Sequence, residues 1–66
     1  MPGPDRKGHG VQILEPGNFV RHPDRPDWGL GQVQSVVGAR VTVNFDEVGK
    51  MVVDTRVVNL DWVVAP

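Results

Sequence analysis

The sequence predicts an all-β domain, a small and strongly bent antiparallel barrel of five short strands. Three observations predict it. Apolar and polar residues alternate in several stretches, most clearly in "RVTVNF" at 40–45, the mark of a strand with one buried face. Turn residues return between those stretches at spacings of about ten, as they do in small barrels. Valine dominates the apolar set, and no window carries a convincing helical repeat.

The elements follow in order. Residues 1–10 hold three glycines, two prolines and three charges, with nothing to bury. Residues 1–15 are therefore expected to form a flexible tail ahead of a barrel over 16–66. "VQIL" at 11–14 is an apolar patch within that stretch, read as a loosely ordered lead-in. "PG" at 16–17 is a turn signal. "NFVRH" at 18–22 is the first strand, with Val20 and His22 on one face and Phe19 and Arg21 on the other. Pro23 ends it, because proline removes a ladder donor.

"GQVQSVV" at 31–37 is the second strand, with Val33, Ser35 and Val37 facing opposite Gln32, Gln34 and Val36. Gly38 supplies the positive φ of a tight hairpin. In the third strand, 40–45, Val41, Val43 and Phe45 face in while Thr42 and Asn44 face out. "DEVGK" at 46–50 is a turn and "MVVDT" at 51–55 the fourth strand. "RVVNL" at 56–60 holds a short helical turn before a last strand around Leu60–Val63. The one core available is Val20, Val33, Val41, Val43, Phe45, Val53, Val58 and Leu60. Closing the sheet hides edges that would invite pairing. An SH3-like or Tudor-like barrel is the simplest such solution.

Composition narrows the function. The 66-residue chain has no cysteine, which excludes disulfides and sulfur-rich zinc sites. A formal net charge of -1 lacks the basic excess usual in nucleic-acid domains. No apolar run approaches the roughly 20 residues needed to span a bilayer. "MPGPDRKGHG" has no signal-peptide core. The expectation is a soluble, cytoplasmic, monomeric domain that needs no cofactor and meets no membrane.

Catalysis finds little to work with. Only Ser35, Thr42 and Thr55 carry aliphatic hydroxyls, and Ser35 is expected to pack inward beside Val33 and Val37. His22 with Asp24 or Asp27 has the composition of an acid–base pair, but such a pair needs a pocket that excludes water. A barrel this small fills its interior with side chains. His22 is read instead as a half-buried ring whose nitrogen caps backbone groups of "DRPDW". His9 lies in the tail, so no ligand pair has metal spacing. Asp46 and Glu47 read as a solvated hairpin tip.

Trp28 stands between a proline-stiffened, charged loop and the Gly29-Leu30-Gly31 step. The two glycines permit a sharp bend and close backbone approach, so Trp28 can lie over one open end of the barrel. It then serves either as a core plug or as an amphipathic anchor for a partner, since Trp and Arg dominate interface energetics. Trp62 is expected to be a lid over the core.

The stretch "PGNFVRHPDRPDWGLGQVQSVVGARVTVNFDEVGKMVVD" resembles a bacterial family of small Tudor-like domains that occur as stand-alone proteins of unknown function. A related pattern, carried here by Gly17, Val20, His22, Pro23, Gly29, Gly31, Val33, Phe45, Gly49 and Lys50, occurs at the C-terminus of UvrD/PcrA-type repair helicases. The insert "DRPD" before Trp28 is longer than that pattern needs. More distantly, "VRHP…WGLGQV" is similar to the opening of the RNA-polymerase-interacting domain of CarD-type and transcription-repair coupling proteins.

The resemblance implies a non-catalytic protein-interaction module, with RNA polymerase or a DNA repair or transcription complex as partner. Phe19, Arg21, His22, Arg25 and Trp28, read from the proline-stiffened loop and the first strand rather than from the resemblance, are the candidate contact residues. The alternative is a nucleic-acid-binding barrel using Arg40, Lys50 and Arg56 with Arg21, Arg25 and a stacking Trp28. Asp24, Asp27, Asp46, Glu47 and Asp54 interleave with those cations, so such binding is expected to be weak. A methyl-lysine reader ranks last, because two Phe, two Trp and no Tyr scarcely furnish an aromatic cage.

Overall fold

Strands form where the alternation is cleanest. The computed structural model describes residues 13–64. Its elements are β1 (Phe19–Arg21), a 3-10 turn (Pro26–Trp28), β2 (Gly31–Val37), β3 (Arg40–Phe45), β4 (Gly49–Asp54) and β5 (Asp61–Val63). All five strands join one antiparallel sheet in the order β4-β3-β2-β1-β5. The all-β, five-stranded antiparallel class expected from the sequence is thus the class observed. β4 starts at Gly49, two residues earlier than expected. The helical turn expected within 56–60 is a single turn, with the N–H groups of Val57 and Val58 both donating to Asp54 O at 3.0 Å.

The inward rows of the sheet build one core. Val33 lies opposite Val43 and Val43 opposite Met51; Val41 lies between Val36 and Val53. Val20, Val33, Val41, Val43, Phe45, Val53 and Leu60 are buried, with Val58, Val36, Met51 and Trp28 packed against them. Thr55 is the buried hydroxyl, and it is satisfied. Its Oγ1 donates to Ala39 O at 3.0 Å and its N–H to the same oxygen at 2.8 Å, fastening the end of β4 to the β2–β3 turn.

Strict alternation fails in β2. The pairing runs Val33 to Val43 and then Ser35 to Thr42, so Gln34 is an extra residue and the register shifts there. A β-bulge of this kind reverses which side chains face in. Ser35 is exposed rather than packed inward, Val37 is 74% exposed, and Val36 turns toward the core instead.

The boundary of the folded unit also moves. Of the tail expected over 1–15, residues 1–12 lie outside the described residues, but Leu14 is a core residue at 7% exposure. The turn that follows explains it. Pro16 and Gly17 occupy the central positions of a turn closed by Asn18 N–H to Glu15 O at 3.0 Å, with Gly17 at φ +97°. Pro followed by a positive-φ Gly is the type II signature. Asn18 Oδ1 accepts the Glu15 N–H at 2.8 Å, and Gly17 N–H donates to Val33 O at 2.8 Å. The turn folds the chain back on β2 and places Leu14 in the core, while its neighbour Ile13 remains 87% exposed.

This asymmetry is measurable. Leu14→Ala should lower stability by about 2–5 kcal/mol, the usual cost of a buried leucine truncation. Ile13→Ala should stay within about 0.5 kcal/mol of the parent, as exposed substitutions do. Urea denaturation of both variants checks it, and equal midpoints would remove Leu14 from the core.

Candidate interaction site

The loop from His22 to Leu30 is the most constructed part of the surface. Pro23 prevents β1 from running past Arg21, and the chain turns at once. Arg25 N–H donates to His22 O at 3.2 Å. The His22 ring is buried, and its Nδ1 accepts the Asp24 N–H at 3.1 Å. The ring nitrogen thus caps the loop backbone, as the sequence suggested. Pro26 then opens a 3-10 turn that sequence reasoning read only as a stiff loop. Proline suits a first helical position because its missing N–H would have had no partner there. Trp28 N–H closes on Arg25 O at 3.0 Å and Gly29 N–H on Pro26 O at 3.2 Å.

The loop exit is tied down from the other side. Glu47 N–H donates to Trp28 O at 3.1 Å and Asp46 N–H to Leu30 O at 2.8 Å. The β3–β4 turn, 46–48, and the loop therefore form one rim.

Trp28 sits at the centre of that rim, half-buried. Its ring meets Phe45 edge-on at 5.2 Å and His22 edge-on at 4.9 Å. The guanidinium of Arg25 lies 5.3 Å from the ring centroid, within reach of a cation–π attraction. Trp28 is thus a plug on its Phe45 side and accessible on the other. Beneath it, Phe45 crosses the backbone of its strand partner Gly31. A Cβ added at Gly31 would lie 2.7 Å from Phe45 Cδ1 and 2.5 Å from Val43 Cγ1, so any side chain there forces those neighbours to shift.

The candidate contact residues split between two faces. His22, Arg25 and Trp28 come together. Phe19 and Arg21 alternate with buried Val20 and so point to the outer face of β1. There Phe19 lies between Gln32 and Val63, and Arg21 lies opposite Asp61.

The cations named for nucleic acid do not converge. Arg40 and Arg56 flank Asp54, Arg40 across the β3–β4 ladder and Arg56 through Nη2 to Oδ2 at 3.3 Å. Lys50 lies opposite Asn44 at the other end of β4. Hydrogen bonds from the Arg56 side chain and then its backbone N–H hold the Asp54 carboxyl below its ordinary range.

Trp62 corrects an expectation. It is 66% exposed rather than a lid. It lies opposite Val20 on β5, one of the two outer strands of the sheet, and Leu60 is the residue of this segment that fills the interior. The alternation of Leu60 and Trp62 was legible; that only the first has core to cover was not. Among the described residues, no group of three or more His, Cys, Asp or Glu could hold a metal ion.

A family model described as "Protein of unknown function (DUF3553)" matches residues 14–63. The chain belongs to this family. The matched DUF3553 segment opens at Leu14, the first buried residue described, and closes at Val63, where β5 ends. The family unit and the folded core therefore coincide. No curated protein and no solved structure matches the chain.

Two outcomes follow from this geometry. Gly31→Ala should cost about 1–3 kcal/mol, as overpacking does, and should displace Trp28 through Phe45. The check is denaturation together with Trp28 fluorescence in a Trp62→Phe background; an unchanged spectrum would uncouple the two rings. Arg56→Ala should raise the Asp54 midpoint toward the ordinary carboxylate range in a carboxyl NMR titration. A folded-state pKa held low means the Asp54 contribution is present at neutral pH and lost as pH falls through that midpoint. In the variant that acid limb should flatten.

Proposed function

We propose that this DUF3553 domain is a non-catalytic protein-interaction module that docks through the rim of the 22–30 loop and the 46–48 turn. The observation that carries the reading is Trp28, held half-exposed by Phe45, His22 and Arg25 on a backbone hydrogen-bonded at both ends. An aromatic anchor that is already ordered loses little entropy on binding. Trp and Arg are also among the residue types enriched at the energetic centre of protein interfaces.

Charge favours a protein over a phosphate backbone. Asp24, Asp27, Asp46 and Glu47 are all exposed on this rim, against the single cation Arg25. Such a surplus repels polyanions and suits a basic protein face. Away from the rim, Lys50 and Asp54 are four residues apart on one strand, roughly 14 Å at strand rise, and Asp54 offsets both nearby arginines. The resemblance to helicase C-terminal and polymerase-interacting domains makes bacterial RNA polymerase the first partner to test. An absence of catalysis fits the hydroxyls, because Ser35 is exposed on the outer face and Thr55 is committed to Ala39.

Trp28→Ala combined with Arg25→Ala should abolish capture of purified RNA polymerase while the sheet stays folded by circular dichroism. Labelled DNA and RNA should bind weakly and dissociate steeply with salt, since a chain of net charge -1 releases few counterions. Submicromolar nucleic-acid binding at physiological salt, lost in the double variant, would replace this reading with the nucleic-acid one. Polymerase capture that survives in the folded variant would move the contact to the outer face bearing Phe19 and Arg21.

A further inference from the structure

We propose that His22 is a proton-operated latch on the 22–30 loop. The neutral ring holds the loop packed, and protonation releases it. His22 is 9% exposed and its ring Nδ1 accepts the Asp24 N–H at 3.1 Å. A ring nitrogen that accepts carries a lone pair and no proton, so the neutral ring bears its hydrogen on Nε2. Protonation makes both ring nitrogens donors. It places an N–H where the Asp24 N–H already points, and the hydrogen bond that begins the loop is lost.

The same ring stands edge-on to Trp28 at 4.9 Å, and Arg25 covers that indole at 5.3 Å. A protonated His22 adds a second cation beside an indole that already has one. The remaining charged groups around the loop are Asp24 and Asp27 on the loop itself and Asp46 and Glu47 on the turn that binds its exit. Arg21 and Asp61 lie on β1 and β5. Every one of these groups is exposed, so none offers the charged ring an inside partner. Its compensation lies outward, at the Asp24 and Asp27 carboxylates and in solvent. Turning out, the charged ring gives up its contact with Trp28, and the rim loosens. The latch belongs to the free chain and stands whatever the rim binds.

The test is a pH titration of the full chain carrying His9→Gln, which leaves His22 as its one imidazole. Ring nitrogens, the Asp24 amide and the Trp28 indole are followed by NMR from about pH 8 to about pH 5, the interval in which histidine changes charge. The expected result is the Nε2–H tautomer at the alkaline end. The Asp24 amide should shift and exchange faster, and the Trp28 indole should move, both with the imidazole midpoint. In His22→Phe, which keeps an aromatic edge but takes no proton, the Trp28 step should vanish. An Nδ1–H tautomer, or Asp24 and Trp28 signals that stay flat while the ring titrates, overturns the latch. If the phenylalanine variant does not fold, the tautomer and the coincidence of midpoints decide alone. No binding partner enters the experiment, so its failure is distinct from failure of the docking reading.

Discussion

Phe45 lies across the backbone of Gly31, with a would-be Cβ 2.7 Å from its ring, and the geometry of the rim depends on that contact. Glycine leaves the sheet thin at this point, and the neighbouring strand fills the gap with an aromatic ring, the arrangement by which a cross-strand aromatic compensates a glycine in a bent sheet. Phe45 is buried at 1% exposure, yet its edge is what Trp28 rests on. Trp28 in turn supports His22, and His22 holds the first turn of the loop. A contact deep in the core therefore sets the position of a half-exposed ring at the surface.

The same dependence explains why the loop is ordered despite its composition. Residues 22–30 contain two prolines, one glycine and three charged side chains, the makings of a mobile connection. Three things prevent it. Pro23 and Pro26 reduce the conformations open to the unfolded chain. The His22 ring satisfies the Asp24 amide from inside. The turn at 46–48 supplies two backbone donors from a different hairpin. The last of these is long-range in sequence and forms only when β3 and β4 have paired, so the rim is a product of the folded sheet.

That distinction separates what was legible in the sequence from what was not. β3 was read correctly to the residue because Val41, Val43 and Phe45 alternate without interruption, and seven of the eight expected core residues are buried. The capping role of His22 was legible because it shares the Val20 face and precedes Pro23. The bulge at Gln34 was not, since a register shift is chosen by the partner strand, and the period-two pattern of Ser35 and Val37 pointed the wrong way. Leu14 was hidden because its burial depends on a turn at Pro16–Gly17 that docks on Val33. Trp62 was misplaced because a local pattern does not reveal that Leu60, two residues earlier, already fills the core.

The outermost strands also account for the charges that first suggested nucleic acid. A free sheet edge invites pairing with other chains, and proteins blunt it with charged side chains or by keeping the strand short. β4 is one outer strand, and it carries Lys50 and Asp54, with Arg56 clasping Asp54 just beyond its end. β5 is the other, only three residues long, with Asp61 opposite Arg21. Arg40, Lys50, Arg56 and Arg21 are all placed by these edges and their neighbours, each near a polar or acidic counterpart. Arg25 is different. It lies within the 22–30 loop and spends its charge on the face of Trp28. Of the cations considered for binding, it is the one whose position the sheet does not explain, and that places the weight of the functional argument on the loop.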